Sequence, residues 1–191
     1  MTPLSTSGWP PMLLCIGGLP GAGKTTVGTA LAKRLAWALA DLDSVTTPLM
    51  SAVAAEQNID LDLQLPALAA FRGARYACLA AVCRDNLSIG RDVIAVAPFT
   101  AESTSTDRMA AWRAAVGGDA QARVVLAWLD VDAGTAARRR HRRGAPRDAA
   151  GADPAPVDPS GADIVIDARP RVDRIVDCLA QHVRRQSSSV N

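Results

Sequence analysis

Residues 18–25 read Gly18-Leu19-Pro20-Gly21-Ala22-Gly23-Lys24-Thr25: a glycine, four residues, a second glycine, then a lysine and a hydroxyl residue. That spacing suits the binding of phosphate. Backbone N–H groups of a glycine-rich turn surround the anion, the lysine ammonium reaches the outer phosphates of a nucleotide, and the hydroxyl joins a Mg²⁺ shell. Gly21 and Gly23 let the main chain come close with no Cβ in the way, while Gly18, Ala22 and Thr26 complete the expected cradle. Of the 21 basic residues only Lys24 and Lys33 are lysines. A chain so biased toward arginine has kept a compact ammonium where a broad guanidinium would not fit.

A second group is Asp41-Leu42-Asp43, with Asp43 19 residues after Lys24. It falls at the carboxyl end of the strand expected over 37–42, where ligands of open α/β sheets sit. If the strand persists, residues two apart share a face, so both carboxylates would point into one volume. Asp41 then suits the Mg²⁺ shell, directly or through water, and Asp43 suits accepting the proton of a hydroxyl that attacks a γ-phosphate. The structural alternative is that one of them, or Ser44, caps the following helix.

The third group is the run Arg138-Arg139-Arg140-His141-Arg142-Arg143, followed by Arg147. On a helix such a run occupies every side, so its members cannot all share one solvated face. Arginines that close over a transferring phosphoryl group offset its developing charge and exclude water. Arg138 with Arg142, and Arg139 with Arg143, form i, i+4 pairs; Arg138 and Arg142 are the catalytic candidates, and Arg139, Arg143 and Arg147 the nucleotide-binding ones. The lid would span about 138–161. A basic surface patch is the alternative, and His141 reads as an exposed helix residue.

These groups need elements to hold them. The apolar run over 12–17 is strand-like, and the helix from Thr25 to Ala36 buries Val27, Leu31 and Leu35. A helix over 44–57 is expected to be interrupted near Pro48, and Pro66 to open a long helix to about 88, with Leu68, Phe71, Cys78, Leu79 and Val82 on its apolar side. Residues 92–97 form a buried strand that Pro98-Phe99-Thr100 terminates, and a loop bearing Glu102 follows. A helix (103–116), a strand (122–130), a helix (133–143), a proline-rich mobile loop (148–161), a strand (164–166) and a helix (170–185) complete the alternation. The last helix should bury Val172, Ile175, Val176, Leu179 and Val183. Alternating strands and helices imply a parallel sheet covered on both faces.

With 191 residues, about half of them apolar, the chain suits one domain over 12–186, between an N-terminal arm (1–11) and a frayed tail (187–191). A net charge of +2 is too small to imply a nucleic-acid partner by itself, so any electrostatic argument rests on where the charges cluster. Cys15, Cys78, Cys83 and Cys178 lack C-x-x-C spacing and read as reduced core thiols of a cytoplasmic protein. No leader and no membrane span are apparent.

At the glycine-lysine loop, the Asp-x-Asp pair and the arginine lid, the sequence resembles the small P-loop kinases of the nucleoside-monophosphate-kinase-like group. The resemblance is especially to the shikimate-kinase-like, gluconate-kinase-like and chloramphenicol-phosphotransferase-like enzymes. The resemblance covers about 12–185. It implies an α/β three-layer fold with a five-stranded parallel sheet, ATP and Mg²⁺ as cofactors, Thr25 and Asp41 near the metal, and a small polar acceptor with a hydroxyl group. Acceptor contacts would come from Asp41 and Asp43, from Arg72, Arg75 and Tyr76 in the 45–88 region, and from Phe99 and Glu102 beyond it. Pro98-Phe99 stands where shikimate kinases carry Gly-Gly, so shikimate itself is disfavoured.

The leading function is therefore an ATP-dependent kinase of a small metabolite or natural product, with antibiotic inactivation among its forms. A toxin-like kinase of nucleotide sugars shares the fold. A nucleotide-dependent RNA-binding or switch protein ranks last, since none of the two Phe, one Tyr and four Trp lies within the arginine run. Monomer and homodimer both stay open.

Overall fold

The computed structural model describes residues 10–63, 66–117, 122–143 and 157–188. Five strands, β1 (Met12–Gly18), β2 (Ala38–Asp41), β3 (Val93–Val96), β4 (Arg123–Asp130) and β5 (Ile164–Asp167), pair in the order β2-β3-β1-β4-β5. Every pairing is parallel. The helices are α1 (Lys24–Leu35), α2 (Leu42–Glu56), α3 (Pro66–Ala69), α4 (Arg72–Ser88), α5 (Thr100–Ser103), α6 (Thr106–Gly117), α7 (Ala133–Arg143) and α8 (Val172–Ser188). Because β1 is central, its carboxyl end opens between β3 and β4, and the glycine-lysine loop emerges there.

Strand alternation divides the core in two. Leu14 and Ile16 join Val27 and Leu31 of α1 and Ile175, Val176, Leu179 and Val183 of α8 on one face. Leu13 and Cys15 join Tyr76, Leu79 and Cys83 of α4 and Met109, Trp112 and Val116 of α6 on the other. The stripes expected on α1 and α8 are thus the buried ones, with Leu35 and Val172 at their margins.

Several expectations are corrected. The helix expected from Pro66 is two elements: α3 buries Leu68 against Met50 and Ala54 of α2, and α4 begins anew at Arg72. On α4 the buried positions are Tyr76, Leu79, Ala80, Cys83 and Leu87, a 3–4 spacing that carries Cys78 to the far side. Cys178 is likewise exposed, opposite the stripe of α8, so only Cys15 and Cys83 are core thiols. Pro48 lies inside a continuous α2, which forgoes one backbone bond there without breaking. The Glu102 segment is the short helix α5, and α8 extends to Ser188. Residues 157–161, expected in a mobile loop, are partly anchored: the Gly161 N–H donates to the Ser103 carbonyl at 2.6 Å. Residues 1–9, 144–156 and 189–191, which hold most of the expected arm, the lid loop with Arg147, and the end of the tail, lie outside the described residues. No described helix is long and apolar enough to cross a membrane.

Burial raises the Cys15 thiol well above its ordinary range and the Cys83 thiol to about 12. At pH 8 an aromatic disulfide reagent should therefore modify two thiols quickly, Cys78 and Cys178, and the other two only after denaturation. Four fast thiols in the native protein would contradict this packing.

Candidate active site

The loop after β1 is built from backbone conformations that glycine adopts freely: φ is 148° at Gly18, 88° at Gly21 and 93° at Gly23. Space demands glycine as well. A Cβ on Gly21 would lie 2.4 Å from the Ala136 carbonyl oxygen of α7, and one on Gly18 2.8 Å from that of Leu129. The loop is thus pressed between the end of β4 and the side of α7, and it delivers the N-terminus of α1, capped by Gly23 with no side chain in the way. An anion at that end meets the free N–H groups and the positive end of the helix dipole. The Lys24 ammonium donates to the Leu19 carbonyl at 3.1 Å, folded back along the rim of the loop.

Thr25 follows in the first turn of α1, and its hydroxyl donates to Asp41 Oδ2 at 3.0 Å. The other oxygen of Asp41 accepts from the Asp43 and Ser44 N–H groups, at 2.9 and 3.3 Å. Asp41 therefore caps α2 and faces the loop threonine at once. Those bonds also correct the position of Asp43. The strand ends at Asp41, so Asp43 lies in the first turn of α2 and does not share a strand face with Asp41. Its carboxylate instead accepts from Arg75 Nη2 at 2.9 Å, while Arg75 Nε donates to Thr46 Oγ1 at 2.9 Å. Two bonds thus hold a guanidinium of 12% exposure that orients a carboxylate of 43% exposure.

Hard oxygen donors at Thr25 and Asp41 fit Mg²⁺, which keeps several waters and binds through one or two protein oxygens plus phosphates. No group of three or more His, Cys, Asp or Glu residues among the described residues could hold a metal by itself.

Among the described side chains of the basic run, Arg139 reaches the loop. It donates to the carbonyls of Ala22 (3.4 Å), Ala168 (2.8 Å) and Arg169 (3.4 Å), bridging the phosphate loop to the β5–α8 turn. That turn is itself pinned, since Arg169 bonds Asp167 and holds its carboxyl at about 2. Arg138 is exposed and donates to Thr135 at 2.6 Å, and Arg142 is exposed too, so neither reaches the loop as expected. Helix geometry separates Arg138, which points about 100° from Arg139 on α7; Arg142, about 60° from Arg139 in direction, lies one turn further along, near the end of the helix. The Arg143 side chain lies outside the described residues.

The acceptor candidates divide similarly. Glu102, 7% exposed, pairs with Arg72 at 3.3 Å, and the Arg72 guanidinium sits 4.2 Å from the centroid of the Tyr76 ring. Glu102 and Tyr76 line a groove of about 320 Å³ between α4 and α6. Phe99 is fully buried, so its side chain cannot touch an acceptor. It packs edge-on against Tyr76 and Trp112 and holds a left-handed φ of 49°. Sequence reasoning missed what this does. The Phe99 N–H donates to the Tyr76 hydroxyl at 3.0 Å, and the preceding Pro98 carbonyl accepts from the Gly18 N–H at 3.1 Å. Tyr76 thus reaches the phosphate loop through the exit of β3; burial, then the Glu102 carboxylate, push its hydroxyl up to about 12, so it stays protonated.

An AAA-domain family model matches residues 13–158 of this chain. The chain belongs to that family. Its fold is that of the small P-loop kinases of the nucleoside-monophosphate-kinase-like group. One similar solved structure is the Mycobacterium tuberculosis APS kinase in complex with AMPPNP and APS: 17% identity over 91% of this chain and 98% of that one, TM-score 0.66. A Sinorhizobium meliloti gluconokinase aligns at 18% identity, covering 93% and 98%, with a TM-score of 0.56. An Aquifex aeolicus shikimate kinase aligns at 13%, covering 93% and 99%, with a TM-score of 0.57. Identities this low carry the architecture alone. No curated protein matches the chain.

Tyr76→Phe keeps the ring but leaves the buried Phe99 N–H without its acceptor, which costs about 1–3 kcal/mol. Urea unfolding should show that loss, and a change below about 0.5 kcal/mol would remove the tyrosine from the support of the loop.

Proposed function

We propose that this protein is an ATP-dependent phosphotransferase that moves the γ-phosphate of ATP to a hydroxyl of a small metabolite or natural product. The observation that carries the reading is the contact between Thr25 and Asp41 at 3.0 Å, which couples the phosphate-binding loop to the acidic start of α2. Around a nucleotide, the loop N–H groups and Lys24 would hold the β- and γ-phosphates. Lys24 and Arg139, which donate to neutral carbonyls, would turn to the phosphate oxygens, since bonds to an anion are roughly twice as strong. Thr25 and Asp41 would hold Mg²⁺, whose charge draws density from the transferring group.

Asp43 is the general base of this reading. The acceptor oxygen forms its bond to the γ-phosphorus as the bond to the β-bridging oxygen breaks; the hydroxyl proton passes to Asp43, and ADP leaves. Arg75 is a positioning residue, fixed by Thr46, that aims the carboxylate. Arg72 and Glu102 would line the approach of the acceptor. The protein is taken to work in the cytoplasm with its thiols reduced, and inactivation of an antibiotic is one form the activity can take.

Transfer of label from γ-labelled ATP should depend on an acceptor drawn from sugars, sugar acids, nucleoside antibiotics, aminoglycosides and aryl-alkyl alcohols. Asp43→Asn should lower that transfer by about 10²–10⁴, the range for a general base. Phosphate release that never depends on an acceptor, or an Asp43→Asn enzyme within about tenfold of the parent, would count against the proposal.

A further inference from the structure

A cavity of about 210 Å³ opens beside the phosphate loop, between the end of β4 and α7. Its walls are chiefly Leu19, Trp128, Val131, Ala136 and Val157, and Ala133 stands at its edge. Leu19 belongs to the loop itself, and its carbonyl receives the Lys24 ammonium at 3.1 Å, so the cavity adjoins the place where the outer phosphates would lie. The Trp128 side chain is 1% exposed and closes the cavity from the sheet. It fits there because Gly17 across the pair has no Cβ; one built there would lie 3.1 Å from the ring.

Charged groups that line the cavity are Asp130, Asp132 and Arg140. Asp132 is already committed: its Oδ1 accepts from the Thr135 N–H at 2.8 Å and caps α7. Those hydroxyls of a polyol that faced the leucine, tryptophan, valine and alanine wall would lack partners, which costs binding energy, whereas Asp130, Asp132 and Arg140 can meet the polar end of a ligand that turns its apolar part to that wall. An apolar group set against that wall leaves no hydroxyl unpaired. An apolar cavity of about 150 Å³ admits benzene, so this one suits a group of roughly eight or nine non-hydrogen atoms.

We infer that this cavity is a specificity pocket for an aromatic or branched aliphatic portion of the ligand, so that the acceptor is an amphiphile rather than a polyol. Naming the ligand as the acceptor rests on the phosphotransferase reading; the pocket's preference for apolar groups does not.

Saturation-transfer NMR with 2-phenylethanol, and with myo-inositol as the polar control, tests it on the full chain. 2-Phenylethanol should bind at least about tenfold more tightly than inositol. Ala133→Phe, which fills the cavity from its edge, should weaken that binding at least about tenfold while the Kd for Mg-ADP stays within about twofold. Val157→Trp fills the same space from another lining position and gives the same readout if Ala133→Phe does not fold. Equal binding of the two probes, or 2-phenylethanol affinity within twofold of the parent in the folded variants, overturns the pocket. Loss of Mg-ADP binding in the unmodified protein, with 2-phenylethanol still bound, would instead sink the phosphotransferase reading and leave the pocket standing.

Discussion

Close backbone approach at the phosphate loop is the constraint on which the rest of the site depends. Gly18 and Gly21 sit so near the carbonyls of Leu129 and Ala136 that no other side chain fits, and both adopt positive φ. The loop therefore has rigid walls on two sides, β4 below and α7 beside it. Preorganised N–H groups need no reorganisation when a charged ligand arrives, which is why such a cradle is effective against an anion. The same approach fixes α7, so which arginine of a uniformly basic run points inward follows from where the backbone of Ala136 must lie.

Asp41 carries a second constraint. Its two oxygens serve opposite directions, one accepting from the loop threonine and the other from the first N–H groups of α2. A strand end, a helix start and the phosphate loop are thereby locked to one carboxylate. The capping and ligand-facing roles that compete on paper are held by the same side chain. Across the cleft, the Tyr76 hydroxyl ties α4 to the exit of β3, whose Pro98 carbonyl in turn holds Gly18. The α4 side of the cleft and the phosphate loop are mechanically one unit.

Much of this was legible in the residues. A glycine-lysine motif between an apolar run and an amphipathic helix identified the loop, and β-strand alternation with 3.6-residue stripes predicted the covering helices α1 and α8. Positions decided by tertiary contacts were not legible. Helical periodicity cannot choose among six consecutive basic residues, so Arg139 emerged only with the carbonyls it bridges. The two-residue spacing of Asp41 and Asp43 suits strand alternation, yet a cap at Asp41 starts a helix and turns Asp43 toward Arg75. Phe99 follows a proline at a strand end, which reads as cleft-lining; the left-handed turn sends its ring into the core instead.

The most direct measurement is calorimetric titration of Mg-ATP into the parent protein and into Lys24→Ala. The account predicts one site per chain, affinity that needs magnesium, and at least about a tenfold loss in the variant, since the ammonium makes a charge-assisted contact to the outer phosphates. Absence of binding by the parent, or equal affinity for parent and variant, would contradict it.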